Sequence, residues 1–172
     1  MAWGVKPLNR LEIVYNSVEF VKYRGDHHYH ITIPALLRYD SYANKDIDFM
    51  IDTGAFLTLV TRQTAIVHGF NNLDVIFEWE LRSFNNKMVA IADFVELPGL
   101  VIGGKMLIGA KVGIPKENTR LNILGMNILE HFKFYLDTED EKLYFEDNRK
   151  YKLDTALACK EIVTVEGGAR MG

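Results

Sequence analysis

The sequence predicts an all-β chain with one or two short helices, on three observations. Apolar and polar residues alternate over many short runs, the pattern of strands with one buried face. Turn dipeptides punctuate these runs: Asn85-Asn86, Pro98-Gly99 and Gly103-Gly104. Only residues 61–68 and 127–132 have helical composition, and both stretches are short. At 172 residues and 48% hydrophobic content the chain fits one domain with a real core, and no internal repeat is visible.

Taken in order, residues 11–23 alternate well enough for one or two strands, with a break placed at Asn16-Ser17, and Arg24-Gly25-Asp26 reads as a turn. A strand runs from His30 to about Tyr39 through Ile31, Ile33, Leu36 and Leu37. A polar loop over 40–45 then leads to the apolar run 47–51, so the two strands form a hairpin that delivers Asp52 at its end. A short apolar run, 57–60, precedes a helix over 61–68 that Gly69 stops. Strand segments follow at 75–81, 88–97, 100–102 and 106–114, with the turn dipeptides as their breaks. Residues 121–124 make a buried strand ended by Gly125, and 127–132 a helix of one or two turns. A last hairpin joins 134–136 to 142–145 through the acidic turn 137–141.

The chemistry lies in Phe49-Met50-Ile51-Asp52-Thr53-Gly54-Ala55. An apolar strand holds the acid on a rigid element. Gly54 permits a tight turn, and Thr53 offers a hydroxyl that can lock a partner loop. One such carboxylate is a poor peptidase, because attack on an amide needs a base for water and an acid for the carbonyl oxygen. Two carboxylates about 3 Å apart share one proton and supply both functions. The chain has a single Asp-Thr-Gly; Asp137-Thr138 continues with Glu139 and Asp154-Thr155 with Ala156. The second acid must come from another copy, which a two-fold homodimer provides.

Met50-Ile51-Asp52-Thr53-Gly54-Ala55 followed by Thr58-Leu59-Val60 resembles the catalytic segment of retropepsins, the single-domain aspartic proteases of retroviruses, retroelements and some bacteria. Asn122-Ile123-Leu124-Gly125-Met126-Asn127-Ile128-Leu129 is similar to the family's second landmark, an apolar-apolar-Gly strand and following helix that pack beneath the catalytic loop. About 70 residues separate the two, enough for a flap and intervening sheet. The resemblance implies an acid-protease fold, closed and barrel-like, with one lobe per chain over 29–147. It implies an aspartic endopeptidase active as a homodimer, with Asp52, Thr53 and Gly54 catalytic. Ala55 and a flap carrying Phe84, Asn85 and Asn86 would contact a peptide or protein substrate, and no cofactor is required.

The sequence departs from the family in three places. Many viral members pair an acid after the Ala with an Arg after the later Gly; here Phe56 and Met126 stand there. Losing both charges avoids a stranded one, and an apolar contact in their place is the expectation. The flap candidate, 82–87, lacks tip glycines, although Asn85-Asn86 can still turn. Extensions over 1–28 and 148–172 are assigned to sheet edges or the dimer interface, with 162–165 as a strand that can pair across the dimer.

Other readings have less behind them. In His27-His28-Tyr29-His30 adjacent side chains point to opposite faces and no fourth ligand is evident, so no metal is expected. Trp3, Trp79, Tyr23, Tyr29, Phe77 and Phe84 read as core or interface aromatics. No G-x-S-x-G, H-E-x-x-H or glycine-rich phosphate loop is present. A net charge of -3 and a pI near 6.0 give no footprint for nucleic acid or an anionic membrane. The lone Cys159, the absence of an apolar leader in residues 1–10 and the lack of a run of roughly 20 apolar residues predict a cytoplasmic protein. The rival function is a peptide-binding or scaffolding homodimer of the same fold with weak or no catalysis.

Overall fold

The computed structural model describes residues 16–19, 21–24, 29–37, 45–82, 89–140, 142–147 and 158–164. Among them are eleven strands and two short α-helices. The strands are β1 (Asn16–Glu19), β2 (Val21–Arg24), β3 (Tyr29–Leu37), β4 (Lys45–Ile51), β5 (Phe77–Arg82), β6 (Val89–Ile102), β7 (Lys105–Pro115), β8 (Asn122–Leu124), β9 (Phe132–Asp137), β10 (Lys142–Asp147) and β11 (Glu161–Thr164). The helices are α1 (Arg62–Val67) and α2 (Met126–Leu129), with a single 3-10 turn at Phe70–Asn72.

The main sheet runs β11-β7-β6-β3-β4-β8, with β2 added to β3 and β5 to β6; a separate three-stranded sheet runs β1-β10-β9. Alternation explains the strands that carry the site. In β4, Ile47 and Phe49 are buried while Asp46 and Asp48 face solvent. In β3, Ile33, Ala35 and Leu37 are buried against the same core, which also takes Val60, Val95, Leu97, Leu124 and Ile128. Pro34 is tolerated because β2 pairs only with Tyr29–Thr32 and β6 only with Leu36–Leu37. It falls in the gap between them, where no neighbour on that side requires an N–H.

Helix α1 begins and ends where its sequence directs. The Thr61 side chain accepts from the Thr64 N–H at 3.0 Å, and Gly69 takes the left-handed conformation at φ 76° just past the end. Asp137 fixes the acidic turn between β9 and β10 by accepting from the N–H groups of Glu139 and Asp140 at 3.0 and 2.9 Å.

Several expectations are corrected. Asn16-Ser17 is not a break: both residues lie inside β1, opposite Phe145 and Tyr144. Pro98-Gly99 does not divide two strands either, since β6 continues through it. Pro98 stands opposite Gly109, at φ 70°, at the one step of the β6–β7 ladder where no pair forms, so the missing N–H leaves no ladder bond unmade. Gly103-Gly104 does turn, with Gly103 at φ 59° and Ile102 paired to Lys105. The strand expected near 162–165 does form, over 161–164, paired with β7 at one end of the main sheet.

The sheet is also not a closed barrel. Between β7 and β8 stands one extended residue, Leu59, bridged to Gly113 on one side and Ile123 on the other. The tight turn after Asp52 and the start of α1 at Arg62 leave too little chain between them for a closing strand. No helix among the described residues is long and apolar enough to cross a membrane.

Candidate active site

Asp52 sits where two chain segments clasp β8. On one flank β4 runs parallel to it, with Phe49, Met50 and Ile51 opposite Asn122, Ile123 and Leu124, and the Asp52 N–H continues the ladder to the Leu124 carbonyl at 3.1 Å. On the other flank Leu59 exchanges both backbone hydrogen bonds with Ile123, each 2.8 Å. The segment from Asp52 to Leu57 therefore leaves and returns around a strand that is fixed on both edges.

The turn itself is closed by its own acid. The Gly54 N–H donates to Asp52 Oδ1 at 2.9 Å and the Ala55 N–H to the Asp52 carbonyl at 3.2 Å. One carboxylate oxygen is thus held by the turn. Asp52 is half-buried, and Thr53 and Gly54 are exposed.

Beneath the turn lies Gly125. A methyl group there would stand 2.4 Å from the Leu57 carbonyl oxygen, so the two backbones touch as only glycine allows. Directly after it, the Met126 and Asn127 N–H groups donate to the carbonyls of Ala55 and Phe56, both at 2.8 Å. The orphan donors at the start of α2 thereby fix the loop that follows Asp52.

Sequence reading missed the buried polar knot that joins these pieces. The Thr58 hydroxyl donates to Asn127 Oδ1 at 2.7 Å and accepts from the Gly125 N–H at 3.0 Å; the Thr58 N–H also donates to Asn127 Oδ1, at 2.9 Å. Asn127 Nδ2 donates in turn to the Lys111 carbonyl at 3.3 Å. Thr58 is fully buried and Asn127 nearly so. The available signal was two polar residues inside apolar runs, since buried polar groups are retained where they are hydrogen-bonded. Asn122 adds a second strut, accepting from Thr61 N–H and donating to the Asp48 carbonyl at 2.9 and 3.0 Å.

Around the turn, Thr53 lines an apolar cavity of about 280 Å³ with Ile31, Met50, Ile51, Phe134 and Leu136. Above it, β5 and β6 form the arms of a hairpin with Arg82 opposite Val89. Its underside, Phe77, Leu81, Ala92 and Phe94, packs on Leu57 and Leu59, with the Phe77 and Phe94 rings stacked at 4.8 Å. The arms are therefore seated on the segment that follows Asp52. The flap residues Phe84, Asn85 and Asn86 lie outside the described residues, as do Trp3, His27 and His28. Among the described residues no cluster of three or more metal-ligating side chains occurs.

The expected Phe56–Met126 contact does not form a buried pair. Phe56 is 55% exposed, whereas Met126 packs against the main core. Phe56 is held instead by its backbone, whose carbonyl takes the Asn127 N–H.

No protein-family profile matches the sequence, and no curated protein matches it. A solved structure does: the retropepsin-like aspartic protease from Rickettsia conorii superposes with a TM-score of 0.50 at 26% identity, over 77% of this chain and 93% of that one. The chain is mostly β with two short helices, and in fold it is similar to a retropepsin-like aspartic protease.

Proposed function

We propose that the chain is an aspartic endopeptidase, active as a homodimer. The observation that carries this reading is the geometry of Asp52: a carboxylate at the end of a strand with one buried face, with one oxygen tied to the Gly54 N–H and a loop whose backbone is locked to β8 and α2. Such a group is pre-organised, and what it lacks for peptide hydrolysis is a second acid.

Across a two-fold axis, Asp52 of each subunit would flank one water. The ionised carboxylate takes a proton from the water, whose oxygen attacks the scissile carbonyl carbon, while the protonated carboxyl gives its proton to the carbonyl oxygen. On collapse, the carboxyl that took the water's proton gives it to the leaving nitrogen as the C–N bond breaks, and the other carboxylate takes a proton from the gem-diol hydroxyl as the carbonyl reforms, which restores the singly protonated pair. Thr53 and Gly54 shape the loop. Ala55 and the hairpin tip with Phe84, Asn85 and Asn86 border an extended peptide, read by strand-like hydrogen bonds and apolar pockets. The dyad activates water without a Lewis acid, so cleavage should survive chelation by EDTA; abolition with rescue by zinc would contradict this.

The test is cleavage of a random peptide library by wild type and Asp52→Asn, with sedimentation of both. The reading predicts cleavage by wild type alone and a dimer for both proteins. Equal cleavage by the two would remove Asp52 from catalysis, and cleavage by neither would favour a peptide-binding homodimer.

A further inference from the structure

The hairpin of β5 and β6 sets two carboxylates against each other. Glu78 stands directly opposite Asp93 in the register of the two arms, and like charges so placed push strands apart. Farther along β5, Glu80 has its own partner in Arg82 at 2.7 Å. For Glu78 and Asp93 the compensating cation comes from outside the hairpin. Lys116, the first residue after β7, brings Nζ to 2.5 Å from Glu78 Oε2 and 3.8 Å from Asp93 Oδ1. Among the described residues neither acid pairs with any other cation.

The backbone that delivers this cation is itself held on both sides. The Lys116 N–H donates to the Ile91 carbonyl at 2.8 Å, which carries the β6–β7 ladder one step past Pro115. The Lys116 carbonyl accepts from Arg62 Nη1 of α1 at 3.0 Å. A side chain that starts from a fixed backbone has less freedom to lose when it forms an ion pair.

We propose that Lys116 is a positioning residue for peptide binding: its charge fastens the two arms of the β5–β6 hairpin at their base and so holds the hairpin over the Asp52 turn. This rests on the proposed function and adds to it a residue outside the catalytic turn. Alternation puts Glu78 and Asp93 on the face opposite Phe77 and Phe94, which with Leu81 and Ala92 sit on Leu57 and Leu59. The hairpin is thus gripped on both faces, by apolar contact with the segment after Asp52 on one and by a cation on the other. Without the cation the two carboxylates repel, and the base is free to splay on its apolar seat. The hydrogen bonds that fix the Asp52 loop come from Gly54, Leu124, Met126 and Asn127, and none passes through Lys116. Loss of the clamp should therefore weaken the hold on peptide and leave the chemistry at the carboxylates unchanged.

The test uses the full chain in three variants. Lys116→Met removes the charge and keeps the length, Lys116→Arg keeps the charge, and Lys116→Met combined with Glu78→Gln and Asp93→Asn removes all three charges. Lys116→Met should raise KM for a cleaved peptide roughly two- to five-fold, the range for an exposed ion pair, with kcat unchanged. Lys116→Arg and the triple variant should both return to the wild-type KM, a rescue that a role in packing alone does not give. Hydrogen–deuterium exchange of the amides in 77–82 and 89–93 reads the same clamp without catalysis, and should be faster in Lys116→Met and restored in the triple variant. Exchange and KM equal in Lys116→Met and wild type, or a triple variant no better than the single one, overturns the clamp and leaves the proposed function standing. The expected exchange pattern in a chain that cleaves no peptide keeps the clamp and overturns the proposed function.

Discussion

At Gly125 the space for a side chain is occupied by backbone: the Leu57 carbonyl carbon and oxygen lie 2.5 and 2.4 Å from where a Cβ would be. Neither can move without shifting the loop that carries Asp52, so Gly125→Ala should cost at least about 3 kcal/mol, the upper end for overpacking, measured by urea unfolding. Asn127→Leu keeps the volume but leaves the Thr58 N–H and hydroxyl without their acceptor, and should cost about 3 kcal/mol or more by the same measurement. The tight turn at Asp52 and Gly54 was legible in sequence because its hydrogen bonds are local to a few residues. Thr58 and Asn127 were not, because they stand 69 residues apart and only the fold joins them. Cys159 shows a third kind of residue, buried and idle, with burial pushing its thiol from 9.0 up to about 11 although Lys111 pulls it down. A raised acid contributes stability that is full below the unfolded value and lost as pH rises through the folded one. Unfolding by urea should therefore become easier between about pH 9 and 11, by roughly 3 kcal/mol, and Cys159→Ala should flatten that slope.

Elements were legible where their signals are chemical and local. Thr61 and Gly69 bracket α1 in sequence as they do in structure, through a side-chain cap and a left-handed residue. The 14-residue β6 was not legible, because Pro98-Gly99 is a turn signal in isolation and becomes harmless only opposite Gly109 on β7. Glu96 on β6 receives Lys111 of β7 at 3.2 Å and Lys160, just before β11, at 3.1 Å. Burial pulls the Glu96 carboxyl upward, but the hydrogen bonds from Lys160 and Lys111 win and hold it below its ordinary value. Its contribution is present above the usual carboxylate range and fades as pH falls through the lowered pKa. The Lys111 side chain is 6% exposed, so Glu96→Gln would leave a buried cation unpaired and should cost about 3 kcal/mol at neutral pH, with a smaller difference from wild type in acid.

At the scale of the whole molecule, the alternating runs and the two separated landmarks were enough to place a mostly β chain of the right kind, since each strand's pattern states which face is buried. The open sheet was not readable, because closure depends on how much extended chain remains between the turn at Gly54 and α1, and only Leu59 bridges the gap. The sequence carries a single Asp-Thr-Gly turn, at Asp52, so the central claim is that catalysis belongs to a pair of chains. It is tested most directly by co-refolding wild type with Asp52→Asn at a series of ratios and measuring peptide cleavage at constant total protein. If each active site needs Asp52 from both subunits, activity should fall as the square of the wild-type fraction, so that an equal mixture keeps about one quarter of the activity. An equal mixture keeping about one half, in direct proportion to the wild-type fraction, would mean that each Asp52 works alone, and one keeping about three quarters that a single Asp52 suffices in a shared site; either would contradict the account.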